Sequence, residues 1–296
     1  MFTRLIDRWI KPAGDTAMLD LVLRLTLIEI LLRPMGFWAI RASLLLVALL
    51  GLLIPKVLRA PLTWLVLSVL VGWRLIDDWP LADNHIYLLA YWCLALAIAL
   101  GTQQLEKNIH TSSRILLGLA FAFAVLWKGF LSPDYLDGRF FRITFLIDDR
   151  FAHAVMLFGN LDEQQLLENR EYLKALPQGA ELLNPPVLTE PPAFSRLVRF
   201  STWATLLMEA AVAFTMLIPL RGRWQNLRHI FLLSFCIGTY AFAPVAGFGW
   251  LLLVMGMAQC RIDQRTWRAL YLATYLLVLL YTEVPWSRLL FERLGG

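Results

Sequence analysis

The 296-residue sequence is poor in charged residues. Asp, Glu, Lys and Arg together make up 17% of the chain, whereas hydrophobic residues make up 59% and the mean hydropathy is +0.62. A soluble globular chain usually carries about 25% charged residues. The composition therefore predicts a polytopic membrane protein with an all-α fold.

Cysteine is also scarce, because the chain has only Cys93, Cys236 and Cys260. All three lie in or at the end of apolar runs without CxxC spacing, so we expect neither a disulfide framework nor a metal site. No Gly-rich phosphate loop is present. The first ten residues alternate charged and apolar groups, which is not typical of a cleaved signal peptide.

The sequence contains long apolar runs, and most of them approach the roughly 20 residues that a bilayer core requires. They are residues 17–32, 36–54, 62–76, 85–101, 114–131, 196–220, 229–244, 248–260 and 268–284. The runs predict a bundle of about eight, that is eight or nine, transmembrane helices. Asp20, Arg24 and Glu29 interrupt the first run, so it either spans the membrane or lies on its surface.

Basic residues fall in every second connection between the runs. Because loops that face the cytoplasm keep lysine and arginine, this alternation predicts a cytoplasmic amino terminus. The same alternation places one longer loop, 132–195, on the extracytoplasmic side of what we expect to be a bacterial inner membrane. The net charge of +5 is then a consequence of topology, and no nucleic-acid partner is expected.

The loop 132–195 has three distinguishable parts. Leucines at helical spacing predict a short amphipathic helix within 161–176. Five prolines within 177–194 predict an extended segment, since proline interrupts helices. Residues 139–159 are apolar enough to enter the membrane interface.

Five polar residues within or beside the predicted spans are candidate functional residues: Lys128, Asn84, His85, Glu209 and His229. A polar side chain in hydrocarbon is costly unless it has a partner or a water-filled cavity. Lys128 can be an anchor that snorkels to the headgroups, or a lysine kept neutral by desolvation that acts as a base. His85 and Glu209 can instead make interhelical hydrogen bonds, and His229 can cap a helix at the interface.

Four motifs in order give the chain a resemblance to a known family. They are "DNHIYLLAYWCLALAIAL" at 83–100, "LWKGFLSPDYLDGRFF" at 126–141, "LLMEAAVAFTMLIPLRGR" at 206–223 and "LRHIFLLSFCIGTYAFAPVAGFGWLLLV" at 227–254. This arrangement resembles the membrane core of the vitamin K-dependent γ-carboxylases and of the related bacterial HTTM-domain proteins. The resemblance covers roughly 15–284.

The resemblance implies a specific chemistry. In the carboxylases a lysine is the base that starts oxygenation of vitamin K hydroquinone, and the strong base so formed removes a proton from a glutamate γ-carbon before carbon dioxide adds. By motif, Lys128 matches that base, Asn84 and His85 match an Asn-His pair, and His229 matches a third-helix histidine. We therefore expect Lys128 and His85 to be catalytic and Asn84, His229 and Glu209 to bind a reduced quinone of the vitamin K or menaquinone type, with oxygen and carbon dioxide as co-substrates.

Residues 1–296 are expected to form a single HTTM-like domain without the large soluble carboxy-terminal region of the carboxylases. Three functions agree with these observations. The chain can be a carboxylase-like or quinone-oxidising membrane enzyme, a non-catalytic module that acts with a partner protein on an exported peptide, or a transporter. No inverted repeat relates the two halves, which disfavours the transporter. For the enzyme, we expect Asn84, His85 and Lys128 to converge near the outer leaflet.

Overall fold

The computed structural model of the chain describes residues 16–33, 37–77, 79, 83–174, 187–242, 247–261 and 263–283. Every regular element within these ranges is a helix, and none of these residues is in a strand. A helix overlaps each of the nine apolar runs of the sequence. The prediction of an all-α protein is therefore confirmed.

The first half of the chain contains α1 (Thr16–Leu32), α2 (Trp38–Leu53), α3 (Pro55–Leu58), α4 (Pro61–Asp77), α5 (Asn84–Leu100) and α6 (Leu105–Leu126), which continues as a π-helical turn (Trp127–Leu131). Four short helices follow: α7 (Pro133–Leu136), α8 (Arg139–Ile147), α9 (Ala152–Gly159) and α10 (Glu163–Tyr172). The chain returns through α11 (Pro192–Leu217), α12 (Asn226–Phe242), α13 (Phe248–Ala258) and α14 (Arg265–Glu283).

Two of the described helices are long and apolar enough to cross a membrane: Leu105–Leu131, which joins α6 to its π-helical turn, and α11. Three others, α2, α5 and α13, are apolar but have only 10–17 residues. By length and composition, the described residues thus contain two candidate membrane-spanning helices. They suggest membrane association, while the count of eight or nine spans stays a prediction.

The main hydrophobic core is built around α13. Its residues from Gly249 to Met257 are all buried, as expected for a helix that is hydrophobic on every side. Trp64 of α4, Trp92 of α5 and Trp250 of α13 are completely buried in the same core. The short α13 is therefore an interior helix that α1, α6, α12 and α14 surround.

The first helix, α1, packs against α2 and α13 and is not a peripheral surface helix. Two of its three charged residues have partners, and the third is buried. Asp20 pairs with Arg59 at 2.7 Å, the guanidinium of Arg24 donates to the Leu52 carbonyl at 3.0 Å, and Glu29 is 1% exposed. The charges that left the position of this segment open are thus accommodated within the helical bundle.

Residues 133–173 form a small helical cap with its own hydrophobic core, which includes Phe145, Val155 and Leu166. The predicted amphipathic helix is α10, which begins with a reciprocal capping box between Asp162 and Gln165. Residues 177–186 of the proline-rich segment lie outside the described residues. The expected extended conformation ends earlier than predicted, because Pro192 occupies the first turn of α11, where proline needs no hydrogen-bond partner.

α11 connects the cap to the main bundle. It has 26 residues and is therefore about 39 Å long. Phe194 and Val198 in its first half pack in the core of the cap, whereas Val212 and Met216 in its second half pack in the main core. This overlap positions α11 beside the end of α6.

Candidate functional site

The site begins with the close packing of α6 against α11. A Cβ atom at Gly118 would lie 2.7 Å from Leu217 side-chain carbons and 3.1 Å from Met216 Cβ. Glycine at this position therefore allows the two helices to approach closely. The approach brings the residues near the end of α6 onto α11.

Lys128 lies in the π-helical turn that ends this helix. Such turns occur often at functional sites. The helix stops at Leu131 because Pro133 disfavours helical backbone at the preceding Ser132, whose φ and ψ are −118° and 89°. Trp127 and Phe130 of the turn are 61% and 80% exposed, whereas the Lys128 side chain is only 23% exposed.

The Lys128 ammonium contacts a carboxylate on α11. Its Nζ lies 2.5 Å from Glu209 Oε1, and the Glu209 side chain is 7% exposed. Glu209 Oε2 is buried and has no hydrogen-bond partner among the described residues. A buried charge needs a partner, and an oxygen without one is an acceptor that a ligand could use.

Tyr135 of α7 covers this pair from the cap. Lys128 Nζ lies 5.1 Å from the centre of the Tyr135 ring, which is within the range of a cation–π interaction. The ring is 3% exposed and packs on Phe140 and Phe141. Burial, followed by the negative charge of Glu209, raises the pKa of the Tyr135 phenol.

Tyr135 is a site residue that the sequence analysis missed. The position of Tyr135 in the turn "SPDYLDG", shortly after Lys128, could have indicated its role. However, the sequence of the turn does not show that the ring points back to Lys128. Glu209 and Lys128 were both recognised as intramembrane charges. Their mutual contact was not predicted, since 81 positions separate them.

His85 and Asn84 belong to a different part of the bundle. Asn84 is exposed at the first position of α5. His85 is half-buried, its ring centre lies 6.4 Å from that of Phe248, and its Nε2 lies beside Gly247 together with Glu29. No contact within the described part of the chain joins His85 to Lys128, and their convergence stays a prediction.

Glu29 forms a second polar cluster with the neighbours of His85. Arg33 lies over the Trp250 ring at 5.0 Å. Glu29 Oε2, Trp250 Nε1 and the Tyr275 hydroxyl are buried and have no hydrogen-bond partner among the described residues. The charge of Glu29 interrupts an apolar run of the sequence, whereas its burial follows from the packing of α1 onto α13.

His229 lies near the start of α12, close to α14. It is 1% exposed, its Nδ1 is 3.2 Å from the Tyr271 hydroxyl oxygen, and its ring stacks on Trp267 at 5.0 Å. The neighbouring Arg228 lies within electrostatic range of Arg114 on α6. Arg114 lies about 21 Å along that helix from Lys128. The structure therefore gives His229 protein partners and does not bring it to Lys128.

Of the five predicted site residues, the structure thus brings Lys128 and Glu209 into contact. The described residues contain no group of three His, Cys, Asp or Glu side chains that could hold a metal ion. Comparison with protein-family models, with curated proteins and with solved structures gives no match.

Proposed function

We propose that this chain is an integral membrane enzyme in which Lys128 and Glu209 transfer protons to and from a lipid-soluble substrate. The observation that carries the proposal is the contact between a lysine in a π-helical turn and a buried carboxylate with one free oxygen. Intramembrane ionisable pairs of this kind are costly and mark functional sites. The resemblance to the γ-carboxylases adds a reaction class to this proposal.

The proposed architecture is a bundle of about eight or nine transmembrane helices. It is supported by the helix within each apolar run and by the interior position of α13. In this architecture the amino terminus is cytoplasmic and the cap, 133–173, is extracytoplasmic. Lys128 then lies at the outer leaflet, beneath the cap.

Lys128 can act as a base only as the neutral amine. In the proposed cycle the proton of Lys128 passes to Glu209, which leaves an amine beside a carboxylic acid in place of the ion pair. The amine can then take a proton from a bound hydroxyl group. Tyr135 restricts water access to Nζ. When the cycle ends, Glu209 gives its proton to the product, which restores the pair of Lys128 ammonium and Glu209 carboxylate.

The site fits a reduced quinone, which is an apolar ring with two hydroxyl groups. Glu209 Oε2 is the acceptor available to one hydroxyl, and the exposed rings of Trp127 and Phe130 are suited to contact the ring or its tail in lipid. When bound, such a quinol supplies the electrons for oxygen activation. The proposed outcome is carboxylation, with carbon dioxide, or a related oxidation of a peptide or small substrate.

The ion pair also favours a second candidate function. Lys128 and Glu209 join α6 to α11, and α11 continues into the core of the cap. The pair could therefore serve only to hold the cap in place. In that case the chain would be a non-catalytic module that presents the cap to an exported peptide or a partner protein.

The substitution Lys128→Arg separates these two functions. Arginine retains the ion pair with Glu209 but cannot act as a base, so we expect normal folding and loss of quinone epoxide formation in the presence of reduced quinone, oxygen and bicarbonate. Lys107→Arg, an exposed lysine of the same helix, is the matched control and should stay active. A fully active Lys128→Arg protein would refute the enzyme proposal and favour the module.

A further inference from the structure

Three arginines, Arg114, Arg228 and Arg268, are here called the basic cluster. Arg228 lies within electrostatic range of Arg114, and both Arg228 and Arg268 lie within electrostatic range of the Cys260 thiol. Arg228 is 6% exposed, and the other two are half-buried. The Nε atom of each guanidinium is buried and has no hydrogen-bond partner within the described part of the chain. None of the three makes an ion pair with a carboxylate among those residues.

Like charges in the basic cluster act on one another. Arg228 lies within electrostatic range of Arg114, and both lie within range of His110. A buried guanidinium without a counter-charge is strongly unfavourable. The common explanation for arginine at a cytoplasmic helix end is contact with water, but this does not fit Arg228, which is almost completely buried.

The local structure holds the basic cluster in place. Arg268 Nη2 donates to the Cys260 carbonyl at 3.1 Å, and Trp267 Nε1 donates to Asn226 Oδ1 at 3.1 Å. These bonds connect α14 to the end of α13 and to the start of α12. The first of these bonds fixes Arg268 beside Cys260, which also lies within electrostatic range of Arg228.

A cavity of about 460 Å³ adjoins the basic cluster, and Arg268 is one of its lining residues. Much of its wall is apolar, with Met18, Val22, Ile109 and Met257 among its residues. Its size and apolar lining are typical of sites that bind small molecules. An anion at the basic cluster could thus place an apolar chain in this cavity.

We propose that the basic cluster binds the phosphate group of an anionic molecule that carries an apolar chain. Phosphate matches the guanidinium fork, which can donate two parallel hydrogen bonds to its oxygens. The phosphate supplies a counter-charge that no carboxylate of the described residues provides, and the neighbouring cavity takes the apolar part. This site is independent of Lys128 and of the proposed enzyme activity.

The first experiment measures the thermal stability of the full-length protein in detergent as inorganic phosphate is added, with chloride at equal ionic strength as the reference. We expect phosphate to raise the melting temperature through binding to the folded state. Arg228→Gln should weaken the apparent affinity by about tenfold or more, as expected for loss of a hydrogen bond to a charged group. Arg265→Gln, an exposed arginine of α14, should leave the affinity unchanged.

Arg228→Lys keeps the charge and replaces only the guanidinium fork. It should fold as the wild type does and bind phosphate more weakly, because lysine cannot form the bidentate contact. Without phosphate, Arg228→Gln should be at least as stable as wild type, since it relieves repulsion from Arg114. Loss of stability in that variant, with phosphate binding unchanged in Arg228→Lys, would assign Arg228 a structural role and overturn the proposal.

The second experiment distinguishes a lipid headgroup from free phosphate. Protein in nanodiscs of phosphatidylcholine is compared with protein in nanodiscs that also contain phosphatidylglycerol. The ligand is a lipid if phosphatidylglycerol stabilises the protein more than inorganic phosphate does and if Arg228→Lys reduces this stabilisation. Stabilisation by inorganic phosphate alone identifies a soluble phosphate compound, and stabilisation by neither overturns the proposal.

Discussion

Removing one partner of the Lys128–Glu209 pair should have unequal effects. Lys128→Met leaves the Glu209 carboxylate, whose side chain is 7% exposed, without a counter-charge, and we expect a loss of about 3 kcal/mol in the free energy of unfolding. Glu209→Leu should cost only about 1 kcal/mol, because the long lysine side chain, which is 23% exposed, can move its ammonium towards water.

The double variant Lys128→Met/Glu209→Leu should also cost only about 1 kcal/mol, since no uncompensated charge remains. The three values give a coupling of about 3 kcal/mol in a double-mutant cycle. Denaturant unfolding in detergent micelles, followed by circular dichroism, measures each free energy. Two results would show that the pair is solvated and would contradict the proposed dry site. One is that the effects of the two single substitutions are additive. The other is that Lys128→Met costs only about 0.5 kcal/mol, as the loss of an exposed ion pair does.

Two further predictions test topology and a backbone conformation. A thiol introduced by Glu168→Cys in the cap should react with an impermeant reagent from outside the membrane, and a thiol introduced by Lys107→Cys should react only from inside. The background should be low because the three natural cysteines are buried. Labelling of both thiols from the same side would refute the orientation. Gly138→Ala should lower the free energy of unfolding by about 1–2 kcal/mol, because φ is +83° there. Gly72→Ala, in the interior of α4 where an added Cβ would meet nothing, should raise it by about 0.5–1 kcal/mol. Equal effects of the two substitutions would contradict the left-handed conformation at Gly138.

The helices of the apolar runs could be predicted from the sequence because hydropathy is a local signal. Proline placement is harder to interpret. Pro61, Pro133 and Pro192 each occupy the first residue of a helix, where proline is tolerated, whereas the prolines of 177–194 had suggested an extended segment. The number of membrane spans is less local. A helix of 17 residues such as α5 can cross a bilayer or lie inside a bundle, and its hydropathy is the same in both cases.

The polar sites show the same division between local and long-range information. Sequence reasoning can recognise Lys128, Glu209 and Glu29 as charges in apolar surroundings, because their neighbours in the chain are apolar. It cannot identify their partners, which depend on how helices pack. The contact of Lys128 with Glu209 needs the approach of α6 to α11 at Gly118, and the burial of Glu29 needs α1 to lie against α13.

The two charged clusters on α6 differ in a way that packing alone explains. Lys128, in the π-helical turn that ends the helix, contacts a carboxylate, whereas Arg114, in the first half of the helix, lies within electrostatic range of Arg228. Both positions would satisfy the same sequence rule, in which a basic residue near the end of an apolar run reaches out of the membrane. At Lys128 the charge is balanced within the chain, so a ligand there must compete with Glu209 or use its free oxygen. At Arg114 the charge is not balanced by a carboxylate of the described residues, so an anion gains the full attraction of the cluster, and binding there should depend more steeply on salt concentration than binding at Lys128.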